Sequence, residues 1–550
     1  MEFITRQPNQ ATSPLLALSK RLSGTLNETR PNAFVGTLGV FLGAGLATMY
    51  GRLLSVGLAD LRGALNLGVD EASWIPTVYN MTVMFMGPFS VYLGALLGTR
   101  RVLLWSTPVF IIALLLLPFS PNLGVMFALQ VIAGLSSGTF YPLTLSYALR
   151  SLPLRYSIFG IGVYSIDILS VTSLAVPLEG WFLNHLSWHW IFWFSAALTP
   201  LMMLCIYRAI PHPPKRTGPK PLISWAGFLY ASIGLSLIFA ALDQGQRLNW
   251  LESGVFVALL TTGIFFLMAA IIRRWLSPNP LVNLSFINKR NTLILAGGLL
   301  SFRFVLLAIA VLIPAFLGTM KGYRPSETGE VLLWIAIPQV LTGITAAWLM
   351  RRFDGRLIIA LGFALVATAC LMNAQLTSAW SGNNFWISQL VMAAGLSLTF
   401  VSLVGLFIQQ GAVTGAFSRP VDILTYSAFI HIVRLFGGEI GTAFMQRLIA
   451  VREQFHSNLI GLHVDAASWL SGERLRLLTG GVLANSAGQD EAQQRAVVLL
   501  GSQVRQQAFT LSYADGFMVI VWVCIAIIAL LVFMKPMKIL FDSSSMEPPK

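Results

Sequence analysis

Long apolar runs, each interrupted by a short polar connector, repeat about fourteen times along this 550-residue chain. The first ends near Ala59. The others cover 73–98, 102–120, 123–149, 156–180, 188–207, 222–242, 252–272, 292–318, 328–350, 356–376, 384–410, 421–447 and 514–534. Each is close to the roughly 20 residues a helix needs to cross a hydrocarbon core about 30 Å thick. A closed barrel is the other architecture that satisfies its backbone in lipid, but its strands are about 10 residues long and alternate in polarity. These runs are apolar all round. The pattern predicts an all-α integral membrane protein in contact with a lipid bilayer.

Composition agrees, with 56% hydrophobic and only 11% charged residues, where a soluble domain carries about 25% charged. The three cysteines, Cys205, Cys370 and Cys524, all fall inside apolar runs without C-x-x-C spacing. They are expected to be packing residues, with no metal site and no cofactor.

A net charge of +14 would suit a nucleic-acid binder, but its placement argues against one. Arg6, Lys20, Arg21 and Arg30 precede the first run, Arg100 and Arg101 follow the second, and Arg150 and Arg155 the fourth. Arg208, Lys215, Arg216 and Lys220 follow the sixth, Arg273, Arg274, Lys289 and Arg290 the eighth, Arg351, Arg352 and Arg356 the tenth, and Lys535 and Lys538 the last. Basic residues on every second connector mark the cytoplasmic face, so both termini are expected inside. Residues 1–33 contain no signal-peptide core and read as a cytoplasmic tail, with the first helix as an uncleaved insertion signal; 541–550 reads as a second tail.

Two breaks divide the series. The Pro- and Lys/Arg-rich stretch 211–221 cannot continue a helix, and a second interruption covers 277–290. The expected organisation is a six-helix bundle over 34–210, a linker with two additional helices over 211–290, and a second six-helix bundle over 291–540. Two such bundles suggest a pseudo-symmetric transporter with its substrate near the bilayer midplane between them. Between the last two runs, 448–513 is polar and expected outside. Turn-like residues at Gly480-Gly481 and over 485–494 separate stretches 451–462 and 493–509 that could be amphipathic helices. This insertion is either a solvated loop or a docking surface for a periplasmic protein.

Ionisable groups within membrane spans cost roughly 2.5–3.5 kcal/mol each on insertion scales, so each is a functional candidate. Arg52, Asp167, Glu179, Arg303, His431, Arg434 and Glu439 lie in or near apolar runs. Asp167, in the middle of the fifth, is a candidate proton carrier or else a carboxylate paired for structure. Glu179 lies nearer the external end. His431, Arg434, Gly438 and Gly441 recur at spacings of three and four, which puts an imidazole and a guanidinium on one stripe with glycines that allow a close helix approach. Histidine titrates near neutral pH and is a second proton-coupling candidate, as is Glu439. Tyr79, Met81, Met84, Phe85 and Met86 could line a pliable apolar pocket.

Three stretches, Trp188 to Phe194 (WHWIFWF), Leu242 to Trp250 (LDQGQRLNW) and Arg434 to Ala443 (RLFGGEIGTA), resemble signatures of the fourteen-helix drug:proton antiporters of the major facilitator superfamily, the EmrB/QacA type. Leu104 to Thr107 (LWST) and the region of Gly134 fit the same family, and the resemblance extends from about 34 to 538. It implies the major facilitator fold and a secondary transporter of the bacterial inner membrane that exports amphipathic compounds against inward proton flow. Arg52 and Arg303 then fall in the first helices of the two halves, positions that line the cavity in this superfamily. With Arg434 they would favour an anionic substrate such as a fatty or aromatic acid. The opposing possibility is that they pair with Asp167, Glu179 or Glu439 and leave the pocket neutral. Some members work with a periplasmic membrane-fusion adaptor and an outer-membrane channel, a role the external insertion could serve.

The chain departs from the family pattern at several points. Tyr50 stands where an acidic residue is usual, and Gln130 where a buried arginine is usual; both remain cavity candidates. The antiporter motif reads Ala175 to Gly180 (AVPLEG), keeping Pro177 and Gly180 but with Glu179 at a glycine position. After the second run, Gly94, Gly98, Arg100 and Arg101 remain without the family's aspartate, whereas Arg351, Arg352, Asp354 and Arg356 keep the inner-gate pattern better in the second half. A proton entering down about 100 mV releases roughly 2.3 kcal/mol, and an anion leaving along the same field adds a comparable term. With no G-x-x-x-x-G-K-[ST] loop in the sequence, a primary pump is not expected. A proton-coupled importer of a small organic solute and, more remotely, a membrane-embedded lipid-modifying enzyme are the other readings.

Overall fold

The computed structural model describes residues 33–151, 154–210, 225–276, 286–415, 417, 419–465, 468–484, 486 and 488–536. The expected tails, the 211–221 linker and most of the second break lie outside them. Among the described residues there is no strand, and fourteen helices are long and apolar enough to cross a membrane.

In chain order the first six spans are α1 (Ala33–Val56), α3 (Val69–Leu97) after the short α2 (Leu58–Ala64), α4 (Thr99–Leu116), the pair α5 (Leu123–Ser137) and α6 (Phe140–Ser151), α7 (Leu154–His185) and α8 (Trp190–Ala209). Two further helices follow, α9 (Trp225–Gln244) and α10 (Gly254–Leu276). The remaining spans are α11 (Arg290–Lys321), α12 (Pro325–Leu349), α13 (Gly355–Asn373), α14 (Trp386–Val413), α15 (Pro420–Gly461) and, after α16 (Trp469–Leu483), α17 (Gln489–Val532).

Local chemistry explains several boundaries. The Asn122 side chain accepts from the Val125 amide at 2.9 Å and so caps α5, as Asp354 caps α13 by accepting from the Arg356 amide at 3.0 Å. Gly98 takes a φ of +84° between α3 and α4, and Gly322 one of +68° after α11, backbone that other residues rarely adopt. The fourth span is two helices rather than the single run expected over 123–149. Its break follows a close approach to α3: a Cβ on Gly134 would stand 1.8 Å from Thr82 Oγ1, and one on Gly138 2.7 Å from Met86 Cβ.

Contact between the first and last six spans is closest where α7 meets α12. A Cβ on Gly180 would meet Ser326 Cα at 2.5 Å, and one on Gly329 would meet Pro177 Cα at 2.6 Å. Pro177 and Gly180 therefore sit at a backbone-to-backbone seam. On the other side α15 packs against α3 and α6. The helix α9 joins this second seam, with Ser236 donating to the Met81 carbonyl at 2.5 Å and Phe239 facing Phe436 at 6.4 Å. Its companion α10 leaves Val255, Ile264, Phe265, Met268 and Trp275 exposed, as a lipid-facing helix does.

The polar insertion at 448–513 is not a loop carrying two separate helices. The span α15 continues unbroken to Gly461, and α17 starts at Gln489 and runs straight into the last span. Their 42 and 44 residues are about 63 and 66 Å long at 1.5 Å per residue, roughly twice the hydrocarbon thickness. Polarity changes near Arg447, but no glycine or proline stands there to stop a helix. The extension is tied across by Arg452 to Asp515 at 2.6 Å, His456 to Asp515 at 2.7 Å and Arg505 to Glu453 at 3.4 Å.

Candidate functional site

Helices α1, α7, α9, α11 and α15 all start at the end of the bundle that carries the basic connectors, so a rise of 1.5 Å per residue gives the depth of each polar group. Arg303, Arg434, Asp167 and Thr48 fall about 20–22 Å along their helices, and Arg52, Glu439 and Asp243 about 27–28 Å. Two polar layers result.

The first is built on arginines and aromatic rings. The Arg303 Nε donates to the Arg434 carbonyl at 3.3 Å, which ties α11 to α15. Gly437 and Gly441 allow this approach, since Cβ atoms there would meet Leu300 O at 2.6 Å and Phe304 O at 2.4 Å. The Arg434 guanidinium lies 4.1 Å over the Tyr141 ring and its Nη1 reaches Thr48 Oγ1 at 3.4 Å. Tyr141 in turn faces the His431 ring at 4.9 Å and Tyr164 at 5.6 Å. Asp167 reaches in from α7 over Gly45, where a Cβ would clash with Oδ1 at 2.6 Å, and its charge acts on Arg434. Several hydrogen-bonding positions remain open: Arg303 Nη1, Arg434 Nε and Asp167 Oδ2 are buried without a partner. No ion pair joins Arg303 to a carboxylate among the described residues. Two buried guanidinium groups with spare N–H donors beside tyrosine rings can receive an anionic headgroup on an aromatic platform.

The second layer is acidic. Asp243, in the last turn of α9, lies within hydrogen-bonding reach of Glu439 on α15, and Arg52 on α1 acts on Glu439 through its charge. Thr77 on α3 donates to Asp243, and the Gln244 amide donates to Thr77 Oγ1 and to the Ser73 carbonyl, the latter at 3.0 Å. Asp243 was not among the sequence candidates because the expected span stopped at residue 242. The helix continues two residues further, and that carries a carboxylate into the interior.

The other candidates have different surroundings. Tyr50 and Gln130 do not line the polar layers: Tyr50 donates to Gln130 Oε1 at 2.9 Å in the packed core of the first six spans, against Tyr79, Phe110 and Phe192. Glu179 is fully buried and faces Asp60 near the end opposite the basic connectors. A Cβ on Gly94 would press on Leu143 at 2.9 Å and Leu424 at 3.2 Å, so α3, α6 and α15 converge there. Arg100 donates to the Ile210 carbonyl and lies over Tyr207, while Arg101 is exposed. Arg351 and Arg352 are exposed, and Arg352 stacks on Trp348 at 4.4 Å. Asp354 pairs with Arg356 at 2.6 Å, and Arg356 also donates to the Met534 carbonyl at 2.8 Å, a tie within the last six spans rather than between halves. Burial alone would push the Asp354 carboxyl up, but hydrogen bonds and charge from Arg356 outweigh it and hold the group below the usual range. Among the described residues no cluster of His, Cys, Asp and Glu could hold a metal ion, and the three cysteines are free and buried.

Residues 40–441 match the family model described as Major Facilitator Superfamily. The probable multidrug resistance protein EmrY of Escherichia coli K12 is 22% identical over 78% of this chain and 82% of its own length. The colistin resistance protein EmrB of Acinetobacter baumannii is 24% identical over 84% and 89%, and the fatty acid resistance protein FarB of Neisseria gonorrhoeae 20% identical over 88% and 92%. Among solved structures, the human organic anion transporter MFSD10 superposes with a TM-score of 0.50 at 13% identity, covering 92% of this chain and 99% of that one. That likeness concerns the fold alone.

Proposed function

Because the chain belongs to the major facilitator superfamily, we propose that it is a proton-coupled secondary transporter that exports amphipathic organic compounds, organic acids foremost, across a bacterial inner membrane by alternating access. The observation that carries the choice of substrate is Arg303. It is 4% exposed, has an unpartnered Nη1 and pairs with no carboxylate among the described residues, whereas the charges of Arg434 and Arg52 are met by Asp167 and Glu439. A buried cation without a counter-ion is costly, and a substrate carboxylate would supply one. The aliphatic or aromatic body of the acid would lie against Tyr141, Tyr164 and neighbouring apolar side chains. Relatives named for multidrug, colistin and fatty acid resistance support export of amphipaths in this lineage.

In this reading 34–210 and 291–540 rock as two halves about the α7–α12 and α3–α15 seams, and the basic connectors face the cytoplasm. Asp167, Glu179, His431 and Glu439 are the proton-coupling candidates. The extension built from α15, α16 and α17 stands on the outer side. It offers Leu462, Trp469, Leu470 and Val498 as an exposed apolar surface on which a periplasmic adaptor leading to an outer-membrane channel could dock.

The test is transport in inside-out vesicles of laurate and of tetraphenylphosphonium, with and without a proton gradient. Wild type should accumulate laurate only with the gradient. Arg303→Gln should lower laurate transport by about tenfold or more, the scale of losing one charge-assisted pair, and affect the cation far less. Equal loss of both substrates, or none, would remove the anion from the reading.

A further inference from the structure

Asp243 belongs to α9, one of the two helices added to the twelve of the paired bundles, and that position gives it a specific relation to water. On the side of α9 facing away from the basic connectors, Arg247 forms an exposed ion pair with Asp70 at 2.7 Å, and its Nε donates to Gln244 Oε1 at 2.5 Å. Gln244, 3% exposed, continues inward by donating to Thr77 Oγ1, and Thr77 donates to Asp243. Asp243 meets Glu439, and Glu439 meets the charge of Arg52. The polar line thus runs from an exposed pair at the membrane rim to the layer just above the arginines, and it is walled by α3, α9 and α15.

Glu439 is 8% exposed and its Oε1 has no hydrogen-bond partner, so the line ends on an unsatisfied buried oxygen. Arg52 Nε is likewise buried without a partner. Facing the acidic pair are Arg52 from α1, Thr77 from α3 and Gln244 from α9 itself. Arg303 on α11 and Arg434 on α15 stand in the layer below. Two carboxyls at hydrogen-bonding distance cannot both be ionised without strong repulsion, so the pair holds one proton as a donor–acceptor bridge, and Arg52 compensates the single remaining negative charge.

We propose that Asp243 and Glu439 together form the site of the transported proton, loaded from the face opposite the basic connectors by an approach that Gln244 and Thr77 line inward from the exposed Asp70–Arg247 pair. The proposal rests on the proton-coupled reading above and gives it a location. In the loaded state both carboxyls are protonated and the pair is neutral. On release one proton leaves to water on the basic side, no other bond is made or broken, and the proton that remains bridges the two carboxyls while Arg52 compensates their single negative charge. The helix α9 is thereby a working part of the coupling machinery, and α10 holds it in place through the Gly234–Gly263 contact, where a Cβ on Gly234 would stand 2.7 Å from Leu267 N.

The experiment compares two modes of the full-length protein in proteoliposomes: laurate uptake driven by an imposed pH gradient, and laurate exchange at equal pH, which moves no net proton. Wild type establishes whether transport is proton-driven at all, and absence of gradient-driven uptake there sinks the underlying reading. If wild type is driven, Asp243→Asn and Glu439→Gln should each lower the ratio of driven uptake to exchange by about tenfold or more, because the driving proton is no longer carried. A variant that keeps the wild-type ratio overturns the site. A variant that loses driven uptake and exchange together also overturns it, since the pair would then serve structure or substrate. Thr77→Val, which breaks the line without removing an acid, should slow driven uptake at alkaline pH and leave the ratio intact at acid pH; a uniform effect across pH would remove the line as the loading route.

Discussion

At the scale of single residues, the chain replaces one kind of polar contact with another. Where its family usually carries an acidic residue and a buried arginine, Tyr50 and Gln130 form a neutral hydrogen bond in a fully packed aromatic setting. Gln130 Nε2 already lacks a partner, so removing the Tyr50 hydroxyl strands both ends of a buried amide. Tyr50→Phe should therefore cost about 1–3 kcal/mol and lower the melting temperature of the purified protein, while the driven-to-exchange ratio stays as in wild type. An unchanged melting temperature would mean the pair contributes nothing. Asp354 allows a cleaner electrostatic test. Its folded value lies below that of a free aspartate, so its contribution is present above about pH 4 and is lost as pH falls through the lowered value. Asparagine can still cap α13, so Asp354→Asn should lower the melting temperature at pH 7 and converge with wild type only in acid. A gap that persists at pH 3 would point to something other than charge.

Among the elements, hydropathy made the spans readable and hid what does not depend on hydropathy. Fourteen runs of roughly membrane length correspond to fourteen candidate spans because burial in lipid demands both apolar side chains and an internally satisfied backbone. The extension has helices where 451–462 and 493–509 predict them, but they are continuous with the spans, since a polar stretch ends a membrane segment but not a helix, and Arg447 to Phe455 contains no breaker. Asp243 lies one residue past the expected end of its span, at a boundary where the polarity change and the helix end do not coincide. The break in the fourth span depends on Gly134 and Gly138 meeting α3, a contact no single run can reveal. The extension also carries a prediction. The side chains of Glu453 and Arg505 meet at 3.4 Å, so α15 and α17 run side by side there, and a Gly-rich linker can join them in place of 455–505 while the Arg452–Asp515 pair remains. Such a deletion should leave vesicle transport close to wild type and abolish co-purification with a coexpressed membrane-fusion adaptor. Undiminished adaptor capture would put the docking surface elsewhere.

For the whole molecule, sidedness and coupling are one claim. In the proposed orientation the basic connectors face the cytoplasm, and the Asp70–Arg247 pair and the long extension both lie at the other end of the bundle. An exporter driven by inward proton flow has to load its proton from outside, so the line from Asp70 to Glu439 is oriented usefully only if the basic end faces inward. The protein is well suited to a direct measurement, because its three native cysteines are buried and should contribute little background. Leu470, 72% exposed on α16, and Phe353, 52% exposed in a basic connector, report the two ends. In intact cells a membrane-impermeant maleimide should label Leu470→Cys readily, and should reach Phe353→Cys only after the inner membrane is opened. The reverse pattern would put the polar line on the cytoplasmic side, where the inward gradient cannot load it, and would remove outward export by this route together with the assigned topology.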